Sequence, residues 1–231
     1  MYKNETISVV VPTINEEKNL RMLLPEIRKV AIIDEFIIID GNSKDETKEV
    51  AKQSGFNFFL DNGKGKGAAL RIAAEKANSD IIVYIDADGS HSPQDIIPLV
   101  KYLVDNKLDL VIGSRTRGGS DELSGTVGNT IRHLGSQVIN VIINKRFGVD
   151  LTDYHDGFRA IRKDVINKLG LIEDTFTIEQ EMAIKALKKG YKVGEIPTHE
   201  YKRIHGQSNI NIVKIAPKYF WTTLKYCFFT R

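Results

Sequence analysis

The sequence predicts an α/β fold in which a mostly parallel central sheet is flanked by helices. Three features predict it. Short β-rich runs alternate with helical patterns through residues 1–115, the rhythm of βαβ units. Those runs are continuously apolar, as strands are when helices cover both faces of the sheet. Polar residues bunch where the runs end, and in an open α/β sheet ligands bind beyond the carboxyl ends of the strands.

The elements follow in order. ISVVVPT (7–13) opens the sheet and NEEKNLRMLLPEIRKV supplies a helix; EFIIID (35–40), KDETKEVAKQSG and NFFLD repeat the unit. A helix from about Lys66 to Ala77 leads into DIIVYID (80–86), and PQDIIPLVKYLVDN leads into LDLVIGS (108–114). The polar clusters at 13–16, 40–45 and 86–91 are therefore expected to face one crevice. Beyond Arg115 the pattern changes. TRGGSDELSGTVGN is rich in Gly and Ser and too long for a tight connection, which predicts a mobile loop that closes over a site. RHLGSQVINVIINKRFG, with Ile131 before it, sets Leu134, Val138, Ile139 and Ile142 at helical spacing. A DGFRA turn and strand, a helix TIEQEMAIKALKKG ending at Gly190, and the extended YKVGEIPTHEYKR come next. Residues 1–210 are expected to form one domain, with halves 1–115 and 116–210, and 211–231 a basic, aromatic, amphipathic tail.

With 231 residues, 42% apolar and 27% charged, the chain is expected to fold around its own core, which excludes a disordered protein. Its one cysteine, Cys227, excludes an internal disulfide, and the opening MYKNETISVVVP lacks the pattern of a secretory signal. A reducing, cytoplasmic setting is the expectation. No run reaches about 18 uninterrupted apolar residues, so no membrane-spanning helix is expected. The net charge of +3 is unevenly placed: from His199 onward Lys202, Arg203, Lys214, Lys218, Lys225 and Arg231 stand against Glu200. With the aromatic residues among them, the tail and the amphipathic 131–143 segment suit the headgroup level of a membrane.

The sharpest chemical feature is Asp86-Ala87-Asp88 at the end of a buried run. Two carboxylates so spaced, on one strand face or splayed around a turn, can hold a hard cation such as Mg²⁺ or Mn²⁺. Pro12, Thr13, Ile14, Asn15 and Glu16 follow the first strand, and Asp40, Gly41, Asn42 and Ser43 the second. Asp40 is placed to accept hydrogen bonds from a base or ribose, whereas Asn15 and Ser43 also suit helix N-caps, and Ser92 or Asp88 the cap of the helix that Pro93 begins. In GKGKGAALR (63–71) glycines let backbone N–H groups approach an anion and the lysines add charge. The departure from G-x-x-x-x-G-K-[ST] excludes a P-loop hydrolase.

In this order, VVVPTINE, IIIDGNSKDET, GKGKGAALR, VYIDADGSHSP, VIGSR, DYHDGFRAIRK and the late RIHGQSN resemble glycosyltransferase family 2, and within it the dolichyl-phosphate mannose or glucose synthase branch. The resemblance covers residues 7–210. It implies a GT-A fold built on a Rossmann-like sheet, the 1–115 half binding a nucleotide diphosphate sugar of the GDP-mannose or UDP-glucose type and the 116–210 half a polyprenyl or dolichyl phosphate. It also implies Mg²⁺ or Mn²⁺ as cofactor, attachment at the cytoplasmic face of a membrane, room for a membrane-spanning partner subunit, and no nucleic acid. Nucleotide-sugar contacts carry over to Pro12, Thr13, Asn15, Glu16, Asp40, Lys66, Gly67, Asp86, Ala87 and Asp88, with Asp86 and Asp88 at the metal. Acceptor-phosphate groups carry over to Arg115, Arg132, Ser136 and Arg203, with Asp88, Arg132 and Arg203 as the catalytic set. The chain departs from that pattern at Gly41, where many relatives have Asp, at Ser90, where some have a metal-contacting Gln, at Asp156, where Ser is commoner, and at Asn209, where Lys often stands.

A phosphate monoester, with its second pKa near about 6, is largely dianionic at neutral pH and attacks without a base. The arginines then supply bidentate donors that aim one oxygen, and a single in-line displacement inverts the anomeric carbon. A hydroxyl acceptor would need a base, for which Asp156, Glu179 and Glu181 are the candidates. A non-catalytic nucleotide-binding, membrane-associated protein and a nucleotidyltransferase are the other readings. Arg159 is expected to bond carboxylates beneath the site.

Overall fold

The structure of the chain, a computed structural model, describes residues 1–122, 127–206 and 212–230, those at 127–132 and 212–214 by their backbone. In the first half β1 (Ile7–Thr13), α1 (Glu17–Arg28), β2 (Glu35–Asp40), α2 (Thr47–Gln53), β3 (Asn57–Leu60), α3 (Lys66–Lys76), β4 (Ile81–Tyr84), α4 (Ile96–Asp105) and β5 (Leu110–Ser114) alternate as expected. Then come α5 (Arg115–Gly118), α6 (Val127–Phe147), β6 (Arg159–Arg162), α7 (Lys163–Leu169), α8 (Ile178–Lys188), β7 (Val193–Pro197), α9 (Ile212–Leu224) and a π-helical turn, Lys225–Phe229.

The seven strands lie in the order β3-β2-β1-β4-β6-β5-β7. All neighbours are parallel except β6, which runs antiparallel to both β4 and β5. That reversal places the site. Because β6 enters the sheet from the end where β4 and β5 leave it, the residues just before β6 lie beside the ends of those two strands, with Arg159 paired to Tyr84 and Ile112.

Alternation along the strands divides the core in two. Val10, Ile37, Ile39, Ile82 and Tyr84 pack with α3 and α8, while Val9, Val11, Ile38, Ile81 and Val83 pack with α1 and α4. Tyr226 and Cys227 complete the first of these cores. The tail therefore packs on the domain through one face and leaves Trp221, Phe228 and Phe229 exposed at 60%, 52% and 73%. Among the described residues no helix is long and apolar enough to cross a membrane.

Boundaries differ from expectation in three places. The paired part of β4 ends at Tyr84, so Asp86 and Asp88 lie in the turn beyond it. A 3₁₀ turn, Pro93–Asp95, precedes α4 and is capped by Ser92, whose Oγ accepts from the Gln94 N–H (3.3 Å). The Gly- and Ser-rich loop begins with the short α5 and then pairs Ser120 with Glu200; its residues 123–126 lie outside the described residues.

Candidate active site

Beyond the carboxyl ends of the strands lies one cavity of about 1000 Å³, lined among others by Pro12, Thr13, Glu16, Lys66, Asp86, Ala87, Asp88, Arg115, Ser136 and Arg203. Segments that are far apart in the chain thus meet where the end-of-strand rule puts a ligand. Arg132 falls within α6 with its side chain outside the described residues, and Asn209 of the late motif lies outside the described residues altogether.

Asp88 sits in a tight turn in which its Oδ1 accepts from the Ser90 N–H (3.0 Å), and its Oδ2 accepts from Arg203 Nη2 (2.9 Å). Nη1 of the same arginine donates to Glu16 Oε1 (2.8 Å). Asp86 faces Lys66, which the start of α3 holds between Asp86 Oδ1 and Glu179 Oε1, both at 2.6 Å. Burial works against that ammonium, but the two carboxylates outweigh it and push the Lys66 pKa up. Burial also acts to raise the Asp86 carboxyl, and Lys66 beside it holds it below its ordinary value. Glu179 goes the other way: burial dominates and raises it despite Lys66 and Arg159.

Two carboxylates in one turn offer hard oxygen donors, and among the described residues no group of three His, Cys, Asp or Glu side chains joins them. That set fits a small divalent ion of the Mg²⁺ type, which takes one or two carboxylates and completes its shell with substrate phosphate oxygens and water.

The packing gives several of these residues partners within the protein. Asn15 and Ser43 cap no helix: the Asn15 N–H donates to Ser43 Oγ (2.7 Å) and Asn15 Oδ1 accepts from the Lys44 N–H (2.8 Å). Asp40, 2% exposed, accepts from the Ser43 N–H (3.0 Å) and from Ser43 Oγ, so through Ser43 it laces these loops together. The Gly67 N–H, expected to face an anion, is spent on the Asp174 carbonyl (2.9 Å), and a Cβ at Gly67 would lie 2.1 Å from the Glu173 oxygen. That glycine serves close packing.

Arg115, expected to present a fork to a phosphate, presents it to Asp153: Nε and Nη2 donate to the two carboxylate oxygens at 2.7 and 3.0 Å, and Nη1 donates to Glu200 Oε1 (3.2 Å). Burial acts to raise the Asp153 carboxyl, but Arg115 holds it at about 2. Arg159 is fully buried, yet its partners are carbonyls rather than carboxylates, those of Asp156 (3.0 Å) and Glu179 (2.7 Å). The arginine thereby pins the turn before β6 to α8.

The sequence reading assigned no role to Asp153, Glu200, His91 or Asn19. His91 Nε2 lies 3.2 Å from Asp156 Oδ2 and the ring stacks on Phe158 with centroids 5.1 Å apart. Burial disfavours the imidazolium, but Asp156 outweighs it and pushes the His91 pKa up to about 9. The acids Asp153 and Asp156 of DYHD, just before a strand, and His91 in the 86–91 polar cluster were the signals available.

A family model described as glycosyl transferase family 2 matches residues 8–170. Glycosyltransferase AglJ of Haloferax volcanii is 29% identical over 203 residues, covering 87% of this chain and 65% of that protein. The low-salt glycan biosynthesis hexosyltransferase Agl6 of the same organism is 27% identical over 209 residues, covering 89% and 50%. The chain thus spans less than two thirds of either protein's length. Among solved structures, glucosyl-3-phosphoglycerate synthase from Mycobacterium tuberculosis, in complex with Mn²⁺, UDP and glucosyl-3-phosphoglycerate, superposes with a TM-score of 0.77 at 20% identity, over 99% of this chain and 82% of its own. The same enzyme in complex with Mg²⁺ and UDP gives 0.76 at 20% identity, over 99% and 81%. With the family match spanning most of the strands that build the cavity, and that likeness extending over almost the whole chain, the protein belongs to glycosyltransferase family 2 and has the GT-A fold.

Proposed function

We propose that the protein transfers a hexose from a nucleotide diphosphate sugar to a polyprenyl or dolichyl phosphate, with inversion, at the cytoplasmic face of a membrane. The observation that carries this reading is the make-up of one cavity. It is lined by Asp86, Asp88 and Arg203 and also, from α6 and α9, by the apolar Val138, Ile139, Ile215, Pro217 and Phe220. A phosphate on an apolar chain needs both surfaces at once, the head among cations and the chain along hydrocarbon.

Asp86 and Asp88 would hold Mg²⁺ or Mn²⁺, which neutralises the charge of the departing nucleotide diphosphate. Glu16 and the 12–16 loop would position the nucleoside, and Lys66 keeps Asp86 ionised. Arg203, with Arg132 and Ser136 on α6, would orient the acceptor phosphate, while Arg115 orders the loop that carries it rather than gripping phosphate itself. The acceptor dianion needs no base. In keeping with that, each carboxylate considered as a base is committed: Asp156 to His91 and the Phe158 N–H, Glu179 to Lys66, and Glu181 to Lys185 and the N–H groups of Ile172 and Glu173. The name of the similar Agl6 supports a hexose, and the UDP and metal complexes of the M. tuberculosis enzyme support the donor type.

The test is incubation of the purified protein with Mg²⁺ or Mn²⁺, polyprenyl phosphate and a panel of GDP and UDP sugars, with glycolipid followed by mass spectrometry. One donor should yield hexosyl phosphoryl-polyprenol of inverted configuration and release nucleoside diphosphate. Asp88→Asn should slow transfer by about 10²–10³-fold. Transfer confined to hydroxyl acceptors, retention of configuration, or release of pyrophosphate would each overturn it.

A further inference from the structure

Asn19, in the first turn of α1, is 2% exposed, and its amide makes three contacts. Nδ2 donates to Glu16 Oε2 and to the His205 carbonyl (3.1 Å), while Oδ1 accepts from the His205 N–H (3.1 Å). No other orientation of the amide satisfies all three, since a carboxylate and a carbonyl only accept. The segment it seizes, 201–206, runs as a strap along the Asp88–Ser90 turn at the cavity. Along it the Tyr201 N–H donates to the Ser90 carbonyl (2.8 Å), the Ile204 N–H donates to the Asp88 carbonyl (3.3 Å), and the Ile204 side chain lies over Gly89, 2.6 Å from where a Cβ would stand. Between these anchors Arg203 stretches from Glu16 to Asp88.

Asp88 therefore already has a cation on it. The contrast with Asp86 is informative: its partner Lys66 is 13% exposed and also gripped by the buried Glu179, a countercharge that stays in place. Arg203 is 21% exposed, sits on a strap, and spans two carboxylates that both belong to the donor side of the cavity. A divalent ion arriving at Asp88 meets a guanidinium that must leave, and its apparent affinity falls to the intrinsic value times the fraction of molecules in which Asp88 is free.

We propose that Asn19 is a positioning residue: by aligning Glu16 with the 201–206 strap it seats Arg203 on Asp88, forming a latch that a divalent cation must displace. This rests on the proposed role of Asp88 in holding the cation. The test is Mn²⁺ binding to the metal-free protein, read from the free Mn²⁺ signal by electron paramagnetic resonance. Arg203→Gln should bind Mn²⁺ about tenfold more tightly and Asn19→Ala about threefold more tightly, with Asn19→Ala adding nothing in the Arg203→Gln background. Unchanged or weaker binding by Arg203→Gln, or additive effects in the double variant, would overturn the latch. An Asn19 that only stabilised α1 would lower the melting temperature without tightening Mn²⁺ binding. In the wild-type protein, where no variant need fold, Mn²⁺ should speed hydrogen exchange at the Ile204 and His205 amides, and unchanged protection would likewise overturn it. Absence of Mn²⁺ binding by every form, with and without UDP or GDP, would instead remove the reading of Asp88 on which the latch stands.

Discussion

In the same cavity as the two aspartates, the charge on His91 is set by its neighbours rather than by its own chemistry. Its folded pKa of about 9 stands above the ordinary 6.5 because Asp156, ahead of Asp86, overcomes burial. A raised pKa in the folded state means that the stabilisation is complete below about 6.5 and is lost as the pH climbs through about 9. Urea titrations across that range should show stability falling by roughly 3 kcal/mol, and His91→Phe should flatten the slope. Asp153 works with the opposite sign. Held at about 2 against an ordinary 3.8, it contributes stability above 3.8 that is lost as the pH falls through 2. At this scale the sequence marked Asp86 and Asp88 as candidates, because an acid pair at the end of a buried run is placed to hold a hard cation. It could not disclose that Arg115 would be taken by Asp153, because the pairing depends on where the antiparallel β6 enters the sheet.

Among the elements, α3 carries a glycine-lysine motif whose glycines also serve the packing. Its glycine-lysine start does reach the cavity through Lys66, but Gly65 and Gly67 are small because the 173–174 backbone crosses directly over them. Gly67→Ala should therefore cost about 3 kcal/mol in denaturant unfolding. In α6, by contrast, a Cβ at Gly135 meets nothing within 4 Å, and Gly135→Ala should stabilise by about 0.5–1 kcal/mol. The βαβ rhythm of the first half was legible because each apolar run and each helix face is a local pattern. The insertion of β6 between β4 and β5 was not, since strand order depends on contacts between segments that no periodicity links.

Taken whole, the molecule puts part of the cavity's apolar lining, Ile215, Pro217 and Phe220, on the same helix, α9, as the exposed Trp221, with Phe228 and Phe229 on the π-helical turn after it. Trp221 stacks on Phe229 with centroids 6.5 Å apart while both stay exposed, an arrangement suited to the headgroup region of a bilayer. A Trp221→Ser, Phe229→Ser double variant should lose most of its sedimentation with anionic vesicles while its melting temperature stays close to that of the unsubstituted protein. Equal sedimentation of the two proteins would remove the tail from the membrane reading.

The amino-acid order alone determined the alternation of strands and helices, the family, and the place of the paired aspartates, because apolar periodicity and strand-end polarity are written over a few neighbouring residues. Only the tertiary structure decided which charge answers which: Arg203 on Asp88 and Glu16, Lys66 on Asp86 and Glu179, Arg115 on Asp153. Those pairings join segments that meet only after the sheet is assembled, and their strength comes from a burial that no local pattern records.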